Sequence, residues 1–513
     1  MKLLLLAVIC YTTSIIPGLH AAAPKQPIVG MYVHTHWPYN HPYAARTWTL
    51  EDWQGYLKGI KEMGYNTVLF WPLVETMPQA LTPSDQAHIQ KIARVIDFAH
   101  EELGLRFYLT LCPNIVADDA VAIQADFERR HFFHSDLRVD PNDATAVATM
   151  IERRARVLQP LARADGIVII DSDPGGFPGA TNEAFVNLLM AHRRMFDTLR
   201  PGIELVYWMH AGWPAYSRYY ETGNFKRGTK DEFTEVLSLL KKKNPKPWSL
   251  ANNLEAATAL GLEDRVVNFR YGQIEQEPQF PFTNFWPKKA WQAGADSAPR
   301  GVVGNAQSHV LQLPNTFAFA KGARKEVVQP ADFRNFAERL IHGHGETIFH
   351  AWETLASNDP VNMRNVAEKL AAINPASLTG GDLQGLIFRD PAGYVTDLGM
   401  QLQVAAAYTD LLNAEKKHRS LLDPLADFLS AVRPWQERTG YQNQWKWSDL
   451  KRILAILDIP EINVVLTPRY LSETPFGKIK EGYYQKEKQT SLLIEAMAAA
   501  VERLKADKQR PRQ

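Results

Sequence analysis

Two carboxylates, Asp171 and Asp173, end the apolar run Ile167–Ile170 in the stretch GIVIIDSDPGGFPG (166–179), directly ahead of a Pro-Gly-Gly break. Side chains at i and i+2 of a strand share a face, with Cα atoms about 6.6 Å apart. If the apolar run is a strand, both acids point the same way, into one space. Carboxylates so close raise the proton affinity of one of them, so one stays protonated while the other ionises. That division of labour suits acid–base cleavage of an acetal. The bland alternative is a turn whose aspartates cap backbone N–H groups before Pro174.

Such a pair needs a scaffold, and the chain has the rhythm of one. From Ile28 to about Leu355, short β-rich runs alternate with amphipathic segments of helical length, the pattern of repeated βα units. Strands are expected at 28–38, 66–75, 105–114, 166–173, 203–210, 265–272, 301–307 and 347–353. Between them, helices are expected to open at Thr49-Leu50-Glu51-Asp52 and to cover 84–103, 142–163, 181–199, 230–243 and 331–342. Eight strands with intervening helices predict an α/β fold, a (β/α)8 TIM barrel. A doubly wound open sheet fits less well, since no G-x-G-x-x-G follows the first strand. Beyond residue 360 the periodicity turns helical, at 361–373, 396–414, 420–432, 448–457 and 487–505. The expected division is a leader over 1–23, the barrel over 24–360 and a mainly helical region over 361–513.

In a barrel of this kind chemistry sits at the C-terminal ends of the strands, where loops vary without disturbing the packed interior. Those ends carry His34, His36 and Trp37; Trp71 and Glu75; Asn114; Asp171 and Asp173; Trp208 and His210; Arg270 and Tyr271; Asn305 and Gln307; and His350, Trp352 and Glu353. Sugar rings stack their C–H faces on flat aromatic rings and need polar partners for their hydroxyls. Trp37, Trp71, Trp208, Trp213 and Trp352 beside acids and histidines therefore suggest a sugar pocket; some of these rings will instead close the core. Asp171, Asp173, Glu75 and Glu353 are the catalytic candidates. The remaining residues, from His34 to Trp352, are candidate substrate contacts.

The eight-unit rhythm, the acids of DGIVIIDSD at the fourth strand and the aromatic mouth resemble TIM-barrel glycoside hydrolases. Within these, the hexosaminidase, chitinase and α-glucuronidase types place an acid at the end of the fourth strand. The chitinase-like pattern D-x-x-D-x-D-x-E is matched here as D-x-D without its last Glu. The hexosaminidase-like pair of adjacent acids is split by Ser172, and the seventh expected strand ends Asn305-Ala306-Gln307 where the common retaining families carry Glu. The resemblance implies a carbohydrate substrate and no cofactor. It leaves two mechanisms open. Asp173 could donate the proton while Asp171 orients a substrate acetamido group. Alternatively, one of these acids works with Glu75, Glu275, Glu277 or Glu353 activating water.

Two other readings stand beside it. His34-Thr35-His36 with His210 resembles metal-dependent amidohydrolases, because two neutral imidazoles on one face could hold a divalent ion. That superfamily also uses a histidine at the sixth strand and an aspartate at the eighth, where this chain offers Asn268-Phe269-Arg270 and His350 or Glu353. No metal is therefore expected. The third reading is a barrel that binds glycan without cleaving it.

Bulk properties narrow the field. The 513 residues carry 57 Lys and Arg against 56 Asp and Glu, so nothing favours nucleic acid as a partner. Met1-Lys2, an apolar stretch to Ile16 and Ala21-Ala22-Ala23 read as a secretory leader rather than a membrane span, which implies export to the periplasm or medium. Lipid attachment at Cys10 fits poorly, since Ile9 is bulky. Cys112 is then the one cysteine left, and no disulfide is expected. The sequence carries no signal for an oligomeric state.

Overall fold

A computed structural model describes residues 26–35, 40–130, 136–171, 181–209, 230–275, 285–440, 448–456, 477–478, 494–495, 497–506 and 508. Eight parallel strands close a barrel: β1 (Ile28–Val33), β2 (Thr67–Phe70), β3 (Arg106–Leu111), β4 (Gly166–Ile170), β5 (Glu204–Trp208), β6 (Trp248–Ala251), β7 (Val266–Arg270) and β8 (Gly301–Ala306). Each is followed by a helix: α1 (Leu50–Met63), α2 (Pro83–Glu101), α3 (Ala144–Leu158), α4 (Asn182–Leu199), α5 (Lys230–Lys243), α6 (Leu254–Ala259), α7 (Pro287–Ala295) and α8 (Leu313–Ala323). The (β/α)8 barrel expected from the sequence is therefore present.

Its strands are not the eight anticipated. The four residues Trp248–Ala251 form β6, which the sequence reading passed over. The stretch expected as the eighth strand, 347–353, lies instead in the helix Gly345–Leu355. Ile348, Phe349, Ala351, Trp352 and Leu355 are its buried positions, a helical spacing rather than an alternation. The barrel thus closes through β8 on β1, from Ile28↔Gly301 to Val33↔Ala306. At that seam Gly301 has φ +118, and a Cβ there would run into the Ile28 backbone, so only glycine fits.

Why the helices start where they do is partly local. Thr49 with Asp52 and Thr82 with Asp85 form capping boxes at the heads of α1 and α2, each satisfying two orphan N–H groups. The barrel interior is layered. Low in it, the Tyr108 hydroxyl donates to Glu204 at 2.8 Å, and Arg300 pairs with the same carboxylate. High in it, the Tyr32, Trp208 and Phe269 rings meet, Trp208 and Phe269 with centroids 3.8 Å apart.

Five more helices follow: α9 (Pro330–Leu340), α10 (Gly345–Leu355), α11 (Pro360–Ala371), α12 (Pro391–Lys416) and α13 (Leu422–Thr439), with α14 (Ser448–Ile456) beyond. Gly343, between α9 and α10, adopts φ +74, and its N–H donates to Glu338, so the stretch His342-Gly343-His344-Gly345 is a helix-to-helix turn. One end of α12 packs into the barrel's core through Leu398 and Leu402. The other carries Val404 and Leu411 into a second core with Phe428, Trp435, Ile453 and Met497.

This helical region touches the mouth twice. Asp397 accepts from Tyr43 and from Arg438 Nε (2.9 Å), while Asn40 N donates to Thr439 O (2.9 Å), tying down the loop after β1. Gly477–Lys478 pairs antiparallel with Asp136–Arg138, itself paired with Ile115–Ala117, forming a small sheet beyond β3. No helix among the described residues is long and apolar enough to cross a membrane.

Candidate active site

The ring cluster settles which face of each strand looks inward. Tyr32 and Trp208 stand on β1 and β5, across the barrel from each other, and can meet only through its interior. His34 lies edge-on to Tyr32 at 5.5 Å, just above, and is buried. Burial, with His309 and Arg46 nearby, holds its imidazole down to about 3, so it is neutral at ordinary pH. Arg46 fixes this corner: Nε and Nη2 donate to Thr35 O at 3.0 and 2.7 Å, and Nη1 to Arg130 O at 2.7 Å.

Glu75 sits in a short turn after β2, sealed from water. Trp71 Nε1 donates to its Oε2 at 3.1 Å and Cys112 N to its Oε1 at 2.6 Å, so one carboxylate joins the ends of β2 and β3. Burial pushes its proton affinity up, and the positive charge of Arg154 partly opposes this. The residue before the turn, Leu73, is held at φ +54, an uncommon conformation for leucine.

The opposite flank is built on Glu275. Its Oε2 accepts from Gln307 N (2.6 Å) and Ser308 N (2.8 Å), and the Ser308 hydroxyl donates to Oε1. Asn305 Oδ1 accepts from Gly272 N at 2.7 Å, and Gln307 Nε2 donates to the Tyr271 hydroxyl at 2.9 Å. Glu275, Asn305, Gln307 and Tyr271 thus fasten the loop after β7 to the end of β8. Three donors on one carboxylate make Glu275 an anchor for that loop.

Asp171 is fully buried and accepts from the Tyr207 hydroxyl at 2.8 Å. Its N–H donates to Trp208 O at 3.0 Å, which carries the β4–β5 pairing through residue 171. Ile170 is in register with Trp208 and shares its inward face. Alternation therefore puts Asp171 on the face of Tyr207, whose ring meets Phe185 of α4 with centroids 5.7 Å apart. The expectation that Asp171 points into the mouth is corrected on this ground: it faces the outer helix. Asp173 lies outside the described residues, as do His36, Trp37, His210, Trp213 and Glu277.

The structure brings His34, Trp71, Glu75, Trp208, Tyr271, Asn305 and Gln307 to the C-terminal end of the barrel. Asn114 is there too, buried, with Nδ2 donating to Val139 O at 2.7 Å. Two expected contacts, Arg270 and Trp352, and the catalytic candidate Glu353 are elsewhere. Arg270 alternates with inward Phe269 and pairs with Asp296 on the outer face. Trp352 is in α10, buried, with Nε1 donating to Tyr394 at 2.9 Å, and Glu353 is exposed on the same helix, with His350. Trp352, Glu353 and His350 fall away because 347–353 is helical, and Arg270 because it alternates with inward Phe269.

Sequence reasoning missed His309, Arg154 and His192. His309 is buried, its Nδ1 2.6 Å from the Tyr56 hydroxyl, and burial holds it down to about 3. Arg154 and His192 occupy apolar stripes: Arg154 follows Val147 and Met150 by seven and four residues, and His192 follows Phe185 and Leu188 likewise. A polar residue at such a position is a readable signal.

No family model matches the chain, and no curated protein matches it. Solved structures it is similar to include glycoside hydrolases. A GH138 enzyme targeting pectin rhamnogalacturonan II aligns over 93% of this chain and 85% of its own, with 9% identity and a TM-score of 0.45. A GH20 catalytic module of the pneumococcal exo-β-D-N-acetylglucosaminidase StrH aligns over 74% and 97%, with 12% identity and a TM-score of 0.37. A GH5_18 enzyme from Streptomyces cattleya, in complex with GlcNAc, aligns over 58% and 80%, with 15% identity and a TM-score of 0.34. At these values the likeness assigns no substrate and no residue role to this chain.

Proposed function

We propose that this chain is an exported glycoside hydrolase that cleaves a glycosidic bond of an oligo- or polysaccharide at the C-terminal mouth of its barrel. Glu75 is the proton donor in this reading, and Asp173 is the second carboxylate. The observation that carries it is Glu75 itself: a carboxyl at the mouth, sealed from water, whose burial favours the protonated form needed to protonate a leaving oxygen. Trp208 over Tyr32 and Phe269 forms an aromatic floor, with His34 held neutral beside it.

The test is a panel of aryl glycosides and uronides offered to the wild type, to Glu75→Gln and to Asp173→Asn. A loss of at least about 100-fold in kcat with ligand binding retained is expected in each variant. Wild-type activity in Glu75→Gln removes the proton-donor assignment. A wild type that binds glycan in calorimetry yet turns over nothing on the panel replaces the enzyme reading with a glycan-binding barrel.

A further inference from the structure

Behind Glu75 lies a buried arginine–histidine pair with no place in the expected chemistry. Arg154 projects from the buried stripe of α3, and its Nη1 donates to Pro113 O at 3.0 Å and to His192 Nε2 at 2.6 Å. Nη2 donates to Ile115 O at 2.8 Å. His192 Nδ1 lies 2.9 Å from Leu188 O, a contact only an N–H can satisfy, so Nε2 is left as the acceptor for Arg154. Neither residue reaches water. Burial and the adjacent guanidinium hold the His192 ring down to about 3, which keeps that acceptor free of a proton.

The two carbonyls taken by Arg154 belong to the turn leaving β3, Cys112 to Ile115. That same turn presents the Cys112 N–H to the Glu75 carboxylate. A buried guanidinium costs several kcal/mol of desolvation, and an apolar pair of similar volume would pack as well or better. Its presence one step from a mouth carboxyl is explained if the carboxyl needs it. Among the described residues, few other titratable groups face this corner. The Cys112 thiol lies near Arg154, and neighbouring Arg153 is engaged with Asp119 and with Met77 O at 2.6 Å.

We propose that Arg154, oriented by His192, is a positioning residue for Glu75. It fixes the turn that holds the carboxylate and supplies the counter-charge that keeps Glu75 able to release its proton. This rests on reading Glu75 as the proton donor. Without the counter-charge, a carboxyl sealed at this depth would hold its proton too firmly to give it up in a catalytic cycle.

Full-length Arg154→Met, Arg154→Lys and His192→Gln proteins test it, with Glu75→Gln as reference. Subtracting the Glu75→Gln spectrum of glutamate-labelled protein isolates the Glu75 carboxyl carbon in a 13C NMR titration. In Arg154→Met the Glu75 midpoint should rise by about one pH unit or more. The alkaline limb of kcat against pH should move with it while KM holds. Arg154→Lys, which keeps the charge but loses the fork of donors, should keep the midpoint and lose kcat. An unchanged Glu75 midpoint in a folded Arg154→Met protein overturns the proposal. Full activity in Glu75→Gln would instead sink the proton-donor reading, and the NMR arm would still report whether Arg154 governs Glu75.

Discussion

Acid should unfold this protein early, and His192 allows the effect to be isolated. An unfolded histidine titrates near 6.5, whereas His192 in the fold is held down to about 3. A group depressed on folding binds fewer protons in the native state, so stability is intact above the unfolded value. It falls as pH drops below 6.5 and levels off near the folded value. Across the whole interval that gap is worth about 5 kcal/mol, of which about 2 kcal/mol is expressed between pH 7 and pH 5. His34 and His309, also held to about 3, act in the same sense, so the three together should cost about 6 kcal/mol over that range. Glu75, whose proton affinity burial raises, works the other way and recovers part of this as it protonates.

His192→Gln keeps an acceptor for Arg154 and removes the titrating ring. The assay is urea unfolding of wild type and variant at pH 7 and pH 5. The wild type should lose about 2 kcal/mol more than His192→Gln on moving to pH 5, whatever the variant's stability at pH 7. Equal losses would mean that His192 does not sit neutral in the core, and the tautomer assigned to it would fall with that result.

Further outcomes follow from packing. A Cβ at Gly385 would stand 2.7 Å from Gly55 Cα, so Gly385→Ala should push α1 from the turn at Gln384–Ile387 and cost about 1–3 kcal/mol in urea midpoints. Gly399→Ala, inside α12 with its nearest neighbours at 3.8 Å, should instead gain up to about 1 kcal/mol in the same assay. Prolines at both Gly477 and Lys478 would remove the N–H groups of the strand at the rim. KM for polymeric substrate should then rise while small aryl glycosides are turned over as before; equal effects on both would show that this strand does not border the polymer's path.

What could be read from the sequence was what local pattern and local chemistry decide. Thr49 and Asp52 announce the head of α1, and residues 230–243 have the periodicity that becomes α5. Trp248–Ala251 escaped notice because four residues are too few to show alternation. TIFHAWE looked like a strand because its large apolar residues are dense, but Ile348, Ala351, Trp352 and Leu355 follow a helical turn. The site was half legible for a related reason. Types such as Glu75 and Asn305 could be placed at strand ends, but the direction of Asp171 depends on which way the strand's pleat falls, which only the register with Trp208 fixes. Arg154 and His192 come from different helices, and their pairing is a product of tertiary packing.

The order in which the parts are made has a consequence for the living cell. The ring of strands is complete once Ala306 has been synthesised, but the sheet beyond β3 waits for Gly477 and Lys478. A nascent chain folding from its N-terminus can close its barrel while the entrance still lacks a wall. A product clipped in between would keep a closed barrel and lack the third strand of that sheet.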